Sequence, residues 1–230
     1  YQKALEYELK ALEILKRVLP PEHPDLATSY NSVGGTYHEQ GNYQKALEYK
    51  QLALDIRKKV LPPEHPNLAI SYNSVGGTYH AQGNYRKALE YKQLALDIRK
   101  KVLPPEHPDL ASSYNNVGIA YSELGSQRKA LEYQLNALRI AEHALPPEHP
   151  HLALYCHNIA WTYHELGDFV RAAPYMRRAA DIIGRSDLPK THPNRINYPK
   201  WADEFEKKAA MQRRLFSQLP DGISFPFGTK

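Results

Sequence analysis

The chain has 230 residues, 42% of them hydrophobic, with 30 Lys and Arg against 25 Asp and Glu, a formal net charge of +5 and a single cysteine. That content can bury a continuous core, while the lone Cys156 rules out an internal disulfide framework, fits a cytoplasmic compartment and reads as a small core residue. No run of about 20 apolar residues is present to span a membrane as a helix.

From the first residue the chain repeats itself. Residues 1–23 read as the second half of a repeat, since Ala4-Leu5-Glu6-Tyr7 matches Ala46-Leu47-Glu48-Tyr49. The chain therefore reads as cut from a longer array, and the absence of a signal-peptide pattern at its start says little about a full protein. Leu-Pro-Pro-Glu-His-Pro then occurs at Leu19–Pro24, Leu61–Pro66, Leu103–Pro108 and Leu145–Pro150, a spacing of 42 residues each time. A fixed period of that size is the mark of a solenoid, in which neighbours bury one another's faces.

Residues 24–65 and 66–107 differ at only four positions, Asp25/Asn67, Thr28/Ile70, Glu39/Ala81 and Gln44/Arg86. Each unit holds two helix patterns. Leu26, Ala27, Tyr30, Val33, Gly34 and Tyr37 form one apolar stripe at helical spacing, and Gly41-Asn42 breaks it. Ala46, Leu47, Ala53, Leu54 and Val60 continue helical spacing until Pro62-Pro63. Pro24 suits the first turn of the next helix, where its missing N–H costs nothing. Four such helix pairs are expected over 24–185, then a degenerate copy of the loop over 186–198 carrying Leu188-Pro189-Lys190-Thr191-His192-Pro193. Trp201, Phe205, Ala209 and Phe216 predict one amphipathic capping helix over 199–218, and the Pro- and Gly-punctuated 219–230 an extended tail.

Tyr30, Val33, Gly34, Tyr37, Gly41, Tyr43, Ala46 and Ala53, with their counterparts from Tyr72 and Tyr114 onward, resemble the tetratricopeptide repeat over roughly residues 1–185. The 42-residue period, the His-Pro helix start and Pro174 are similar to the kinesin light chain and nephrocystin type. The resemblance implies an all-α fold, a right-handed alpha-alpha superhelix. It also implies a non-catalytic scaffold whose first helices line a concave peptide-binding groove, of adaptor or cargo-recognition kind. Cys156 for Tyr30, Ala160 for Gly34 and Phe169 for Tyr43 depart from the pattern in the fourth unit.

Carried onto this sequence, the groove positions include Asn31 and Ser32, Asn73 and Ser74, Asn115, Asn116 and Ile119, and Leu154, His157, Asn158 and Trp161, with Thr28, Gly35, Ile70, Gly77 and Ser112 beside them. Asparagine offers a donor and an acceptor together and can pair with a peptide bond; the alternative is a structural amide bonding a neighbouring helix. None of these positions is basic, so the carboxylate clamp of chaperone-binding members is not expected. Leu154, Ile119 and Trp161, with His157, predict an apolar anchor for a ligand side chain.

Catalytic, metal and cofactor sites are not expected. His23, His65, His107 and His149 fall one per unit and cannot converge, and no phosphate loop or nucleophile motif is present. Two rival readings remain. The stripe Leu5, Leu9, Leu12 and Leu15 invites self-association. The C-terminal basic residues from Arg177 to Arg214, interleaved with Asp203, Glu204 and Glu206, read as a solvated face, an acidic-partner site or, least of all, a nucleic-acid surface.

Overall fold

The computed structural model describes residues 2–218. Ten helices make up the regular structure among them: α1 (Gln2–Val18), α2 (Pro24–Glu39), α3 (Tyr43–Val60), α4 (Pro66–Ala81), α5 (Tyr85–Val102), α6 (Pro108–Glu123), α7 (Gln127–Ala144), α8 (Pro150–Glu165), α9 (Phe169–Arg185) and α10 (Pro193–Phe216). They fall into two compact units, divided after Pro105. The first holds α1 and the pairs α2/α3 and α4/α5; the second holds α6/α7, α8/α9 and α10.

Each helix boundary has a local cause. His23, His65, His107, His149 and His192 are N-caps, each imidazole Nδ1 accepting from the backbone N–H two residues on at 3.1–3.2 Å. The proline that follows takes the first helical position, as a residue without a donor can. The recurring His-Pro step is thus a capping element. At the far end of α2, Gly41 adopts φ +75, a left-handed conformation that favours glycine. It lets Asn42 N–H reach back to the Tyr37 carbonyl at 2.9 Å, closing the helix, while Asn42 Oδ1 accepts from Lys45 N–H at 3.2 Å and opens α3.

In the first three pairs a glycine stands where the two helices meet, and Ala160 takes that position in the fourth. A Cβ on Gly34 would stand 2.8 Å from Lys50 Cγ and 3.1 Å from the Ala46 carbonyl oxygen, and one on Gly118 2.7 Å from Gln134 Cγ. Around this contact Leu12, Leu26, Val33, Tyr37 and Ala53 form one slice of core, and Leu54, Leu68, Val75 and Ala95 the next. Tyrosines fill the wedge between helices, Tyr49 stacking on Tyr37 at 5.5 Å and Tyr91 on Tyr79 at the same distance. In the second unit Leu152, Ile159, Met176, Ile183 and Phe205 are buried.

Two expectations change here. The last helix begins at Pro193 rather than 199, because His192-Pro193 is a fifth copy of the cap and the internal Pro199 does not end the helix. The leucine stripe of α1 is not an exposed surface: Leu12 is buried, and Leu5, Leu9 and Leu15 pack against the first core slice with Tyr30 and Tyr49. The expected tail, 219–230, lies outside the described residues.

Candidate functional site

The first helix of each pair carries the expected binding face, and the structure treats its residues in different ways. In the first unit Ser32 of α2 is exposed and Asn31 half-buried; on α4, Asn73 and Ser74 are half-buried and Ile70 is 50% exposed. Ser74 Oγ lies 3.5 Å from Asn31 Oδ1, so the two faces stand side by side and are tied by a side-chain bond. Nothing lies within 4 Å of a Cβ built on Gly35 or Gly77. These second glycines of each Gly-Gly pair therefore look onto open space, unlike Gly34 and Gly76.

In the second unit the same positions have been drawn into the fold. Asn115 is only 3% exposed and accepts from Asn158 Nδ2 at 2.9 Å. Its amide joins two neighbouring first helices, so Asn115 is not a surface group, and the structural alternative holds for this pair. Ser112 and Tyr155 share a hydroxyl contact at 3.2 Å. Asn116 and Ile119 are half-buried, and Leu154 keeps 39% exposure.

The expected aromatic anchor is lined by the protein's own rings. His157 stacks on Tyr198 of α10 at 4.7 Å, the planes 5° apart, and lies 5.4 Å from Trp201. Trp161 meets Trp201 and Phe205 edge-on at 5.9 and 5.5 Å. α10, the capping helix, supplies the rings that line this place. Burial pushes the His157 imidazole down to about 4, and its buried Nδ1 has no hydrogen-bond partner. Burial pushes the Tyr198 phenol up to about 12.

Beneath the faces runs a polar layer that the sequence reading passed over. Lys50 is 7% exposed; its ammonium donates to Thr78 Oγ1 at 2.8 Å and to the Ser74 carbonyl at 3.4 Å, linking α3 to α4. Burial holds its pKa down, to about 8. Gln134 makes the equivalent link, its Oε1 accepting from Thr162 Oγ1 at 2.8 Å. The signal was present: the position 42 residues apart reads Lys50, Lys92, Gln134, Met176, all long and unbranched.

Part of the C-terminal basic charge is paired locally. Arg177 donates to Glu206 and Asp203 at 2.6–2.8 Å, which raises its pKa further. Arg178 pairs with Glu142, and Lys208 with Glu204 at 2.7 Å. Arg195 caps α9, donating to the carbonyls of Gly184, Ser186 and Leu188. Cys156 is fully buried, and burial pushes its thiol up to about 11. Among the described residues no group of three His, Cys, Asp or Glu is placed to hold a metal ion, and no helix is long and apolar enough to cross a membrane.

Paired helices with a glycine contact, an αL-glycine turn and a repeated first-helix face define a helical-repeat array. The tetratricopeptide repeat pattern matches residues 1–59, 33–101, 67–143 and 128–183, and the chain belongs to that family. Among solved structures it is similar to a Podosopora anserina protein of nearly identical TPR-like repeats, assigned as a kinesin light chain. That match has 26% identity and a TM-score of 0.71, covering 82% of this chain and 89% of the other. BtubC (BKLC) from P. vanneervenii shares the fold at 19% identity and TM-score 0.73, over 100% and 97% of the two chains. The apo form of RapI does so at 22% and 0.75, over 94% of this chain and 59% of RapI. The comparison with curated proteins gave no match.

Proposed function

We propose that this array is a non-catalytic scaffold that binds a peptide segment of a partner protein along its first-helix faces. The reading is of an adaptor or cargo-recognition module acting in the cytoplasm. One observation carries it: in the first unit the face that shows Ile70 half exposed also places Gly35 and Gly77 mid-helix under open space. Glycine there weakens a helix by roughly 0.5–1 kcal/mol relative to alanine, and no packing within the fold repays it. A partner that approaches the backbone closely gives those residues a reason. Ser32, Ser74 and Ile70 form its floor in the first unit; Asn116 and Leu154 stand at the matching positions in the second. Kinesin light chain likeness in the solved structures supports the adaptor reading.

A random peptide library displayed against the purified chain tests this, beside a Ser32→Glu/Ile70→Glu variant. Both substitutions sit at exposed positions, so helicity by circular dichroism stays unchanged. Enrichment of a motif with the parent chain and its loss with the variant is the expected result. Enrichment that survives the variant moves the site off this face, and no enrichment refutes peptide recognition.

A further inference from the structure

The helix α10 begins at a His-Pro cap, as do α2, α4, α6 and α8, but it runs for 24 residues where each of those runs for 16. It buries one side: Tyr198, Ala202, Phe205 and Ala209 follow helical spacing into the fold. On the opposite side Ile196, Lys200, Lys207, Met211, Arg214 and Leu215 share an arc of about 100°. Ile196, Met211 and Leu215 are 44%, 66% and 53% exposed, and the cations among them are exposed as well. The turns that make α10 longer carry Met211, Arg214 and Leu215.

The fold sorts the charge along this helix. Its carboxylates are Asp203, Glu204 and Glu206. Asp203 and Glu206 accept from Arg177 of α9 at 2.6–2.8 Å, and Glu204 pairs with Lys208 at 2.7 Å. Among the described residues no side-chain hydrogen bond or ion pair engages Lys200, Lys207 or Arg214. A region of mixed charge in sequence thus becomes, on the outer side of α10, a stripe of uncompensated cations set among exposed apolar side chains.

We propose that this face of α10 docks an acidic amphipathic helix of a partner protein. From Ile196 to Leu215 the stripe spans about 28 Å at about 1.5 Å per residue, the length of a helix of roughly 20 residues. Carboxylates of such a helix meet Lys200, Lys207 and Arg214, and its apolar side chains cover Ile196, Met211 and Leu215. Other occupants fit less well. A nucleic acid matches the cations but sets phosphates against the apolar groups. An anionic bilayer suits a helix whose apolar and charged faces are segregated; here Lys200 and Lys207 lie on the midline of the stripe and would enter the acyl layer with it. A second copy of this chain brings the same cations and is repelled. The face shares no residue with the peptide-binding faces above, so the two readings stand or fall separately.

The main probe is a fluorescein-labelled peptide of three Leu-Glu-Glu-Leu-Ala-Glu-Ala heptads. A scrambled peptide of the same composition, a labelled oligouridylate and phosphatidylserine vesicles are the comparators. Binding is read by anisotropy, or by co-sedimentation for vesicles, on the parent chain, on Lys200→Glu/Lys207→Glu and on Met211→Ser/Leu215→Ser. All four substitutions sit at exposed positions, and circular dichroism is the folding control. The heptad peptide should bind the parent tenfold or more tightly than its scrambled form and lose tenfold or more in each variant. It should bind Ser32→Glu/Ile70→Glu as it binds the parent. Loss in that last variant alone places the peptide on the first-unit face, which overturns this proposal and supports the earlier reading. Equal binding of the scrambled peptide, tighter binding of the oligonucleotide or the vesicles, or no binding of the heptad peptide overturns it too. A sedimentation-velocity mass that rises with concentration in the parent and not in the α10 variants assigns the face to a second copy instead, and also overturns it.

Discussion

The buried ammonium of Lys50 shows what desolvating a charge costs. Its Nζ is held by one hydroxyl and one carbonyl, and burial lowers its pKa to about 8 from an ordinary value of 10.5. At neutral pH the folded protein keeps the charge against that desolvation. The same site accepts Gln134 and Met176 in later pairs, so the fold does not require the charge. Lys50→Gln should stabilise the chain by about 1–2 kcal/mol at pH 7, since a neutral amide can still reach Thr78 as Gln134 reaches Thr162. Between pH 8 and 10.5 the unfolded state holds a proton that the folded state has released, so the parent gains stability as pH rises there and the variant does not. Chemical denaturation at pH 7 and pH 10 should show the gap closing. A variant less stable than the parent at pH 7 would mean that the bonds to Thr78 and Ser74 outweigh the desolvation.

At the level of the helix, α2 and α4 set two adjacent glycines against each other. Gly34 faces Lys50 and the Ala46 carbonyl at distances that leave no room for a methyl group, whereas Gly35 faces nothing. Gly34→Ala should therefore destabilise by about 1–3 kcal/mol through overpacking, and Gly35→Ala should stabilise by about 0.5–1 kcal/mol through helix propensity. Thermal melts of the two variants would separate them by sign; destabilisation by both would place a hidden packing role on Gly35. Much of this was legible beforehand. The 42-residue period, the Gly41 turn and the small residue at Gly34 fix the helix pair from sequence, because each is a local rule. The interior was less legible. Asn115 reads as a surface amide from its position on the stripe, and only its neighbour Asn158, 43 residues on, shows that it is a buried link. His157 and Trp161 read as open for the same reason: what covers them comes from α10, whose pattern departs from the repeat. Ser32 and Ile70 read as outward-facing from their helix positions, and among the described residues both are exposed.

At the scale of the molecule, an array held by neighbour contacts can lose its end without losing its middle. The contact of α10 with α8 contains a weak point of that kind. His157 is enclosed by Tyr198, Trp161 and Trp201, none of which carries charge in acid, and burial holds its pKa near 4 against an ordinary 6.5. An unfolded or undocked His157 binds a proton as pH falls below 6.5, while the docked one does not until about 4. Stability of this contact is therefore complete above about pH 6.5 and declines by up to about 3 kcal/mol as pH drops to 4. Both tryptophans of the chain, Trp161 and Trp201, sit in the same cluster, so their fluorescence reports it alone. On titration from pH 7 to 4 the tryptophan emission should shift to the red before far-ultraviolet circular dichroism records any loss of helix. His157→Phe, which keeps a ring against Tyr198 and removes the titrating nitrogen, should flatten that early shift. If emission and helicity change together in both proteins, α10 and the pairs before it melt as one cooperative body, and the stack is coupled more tightly than its neighbour-to-neighbour construction requires.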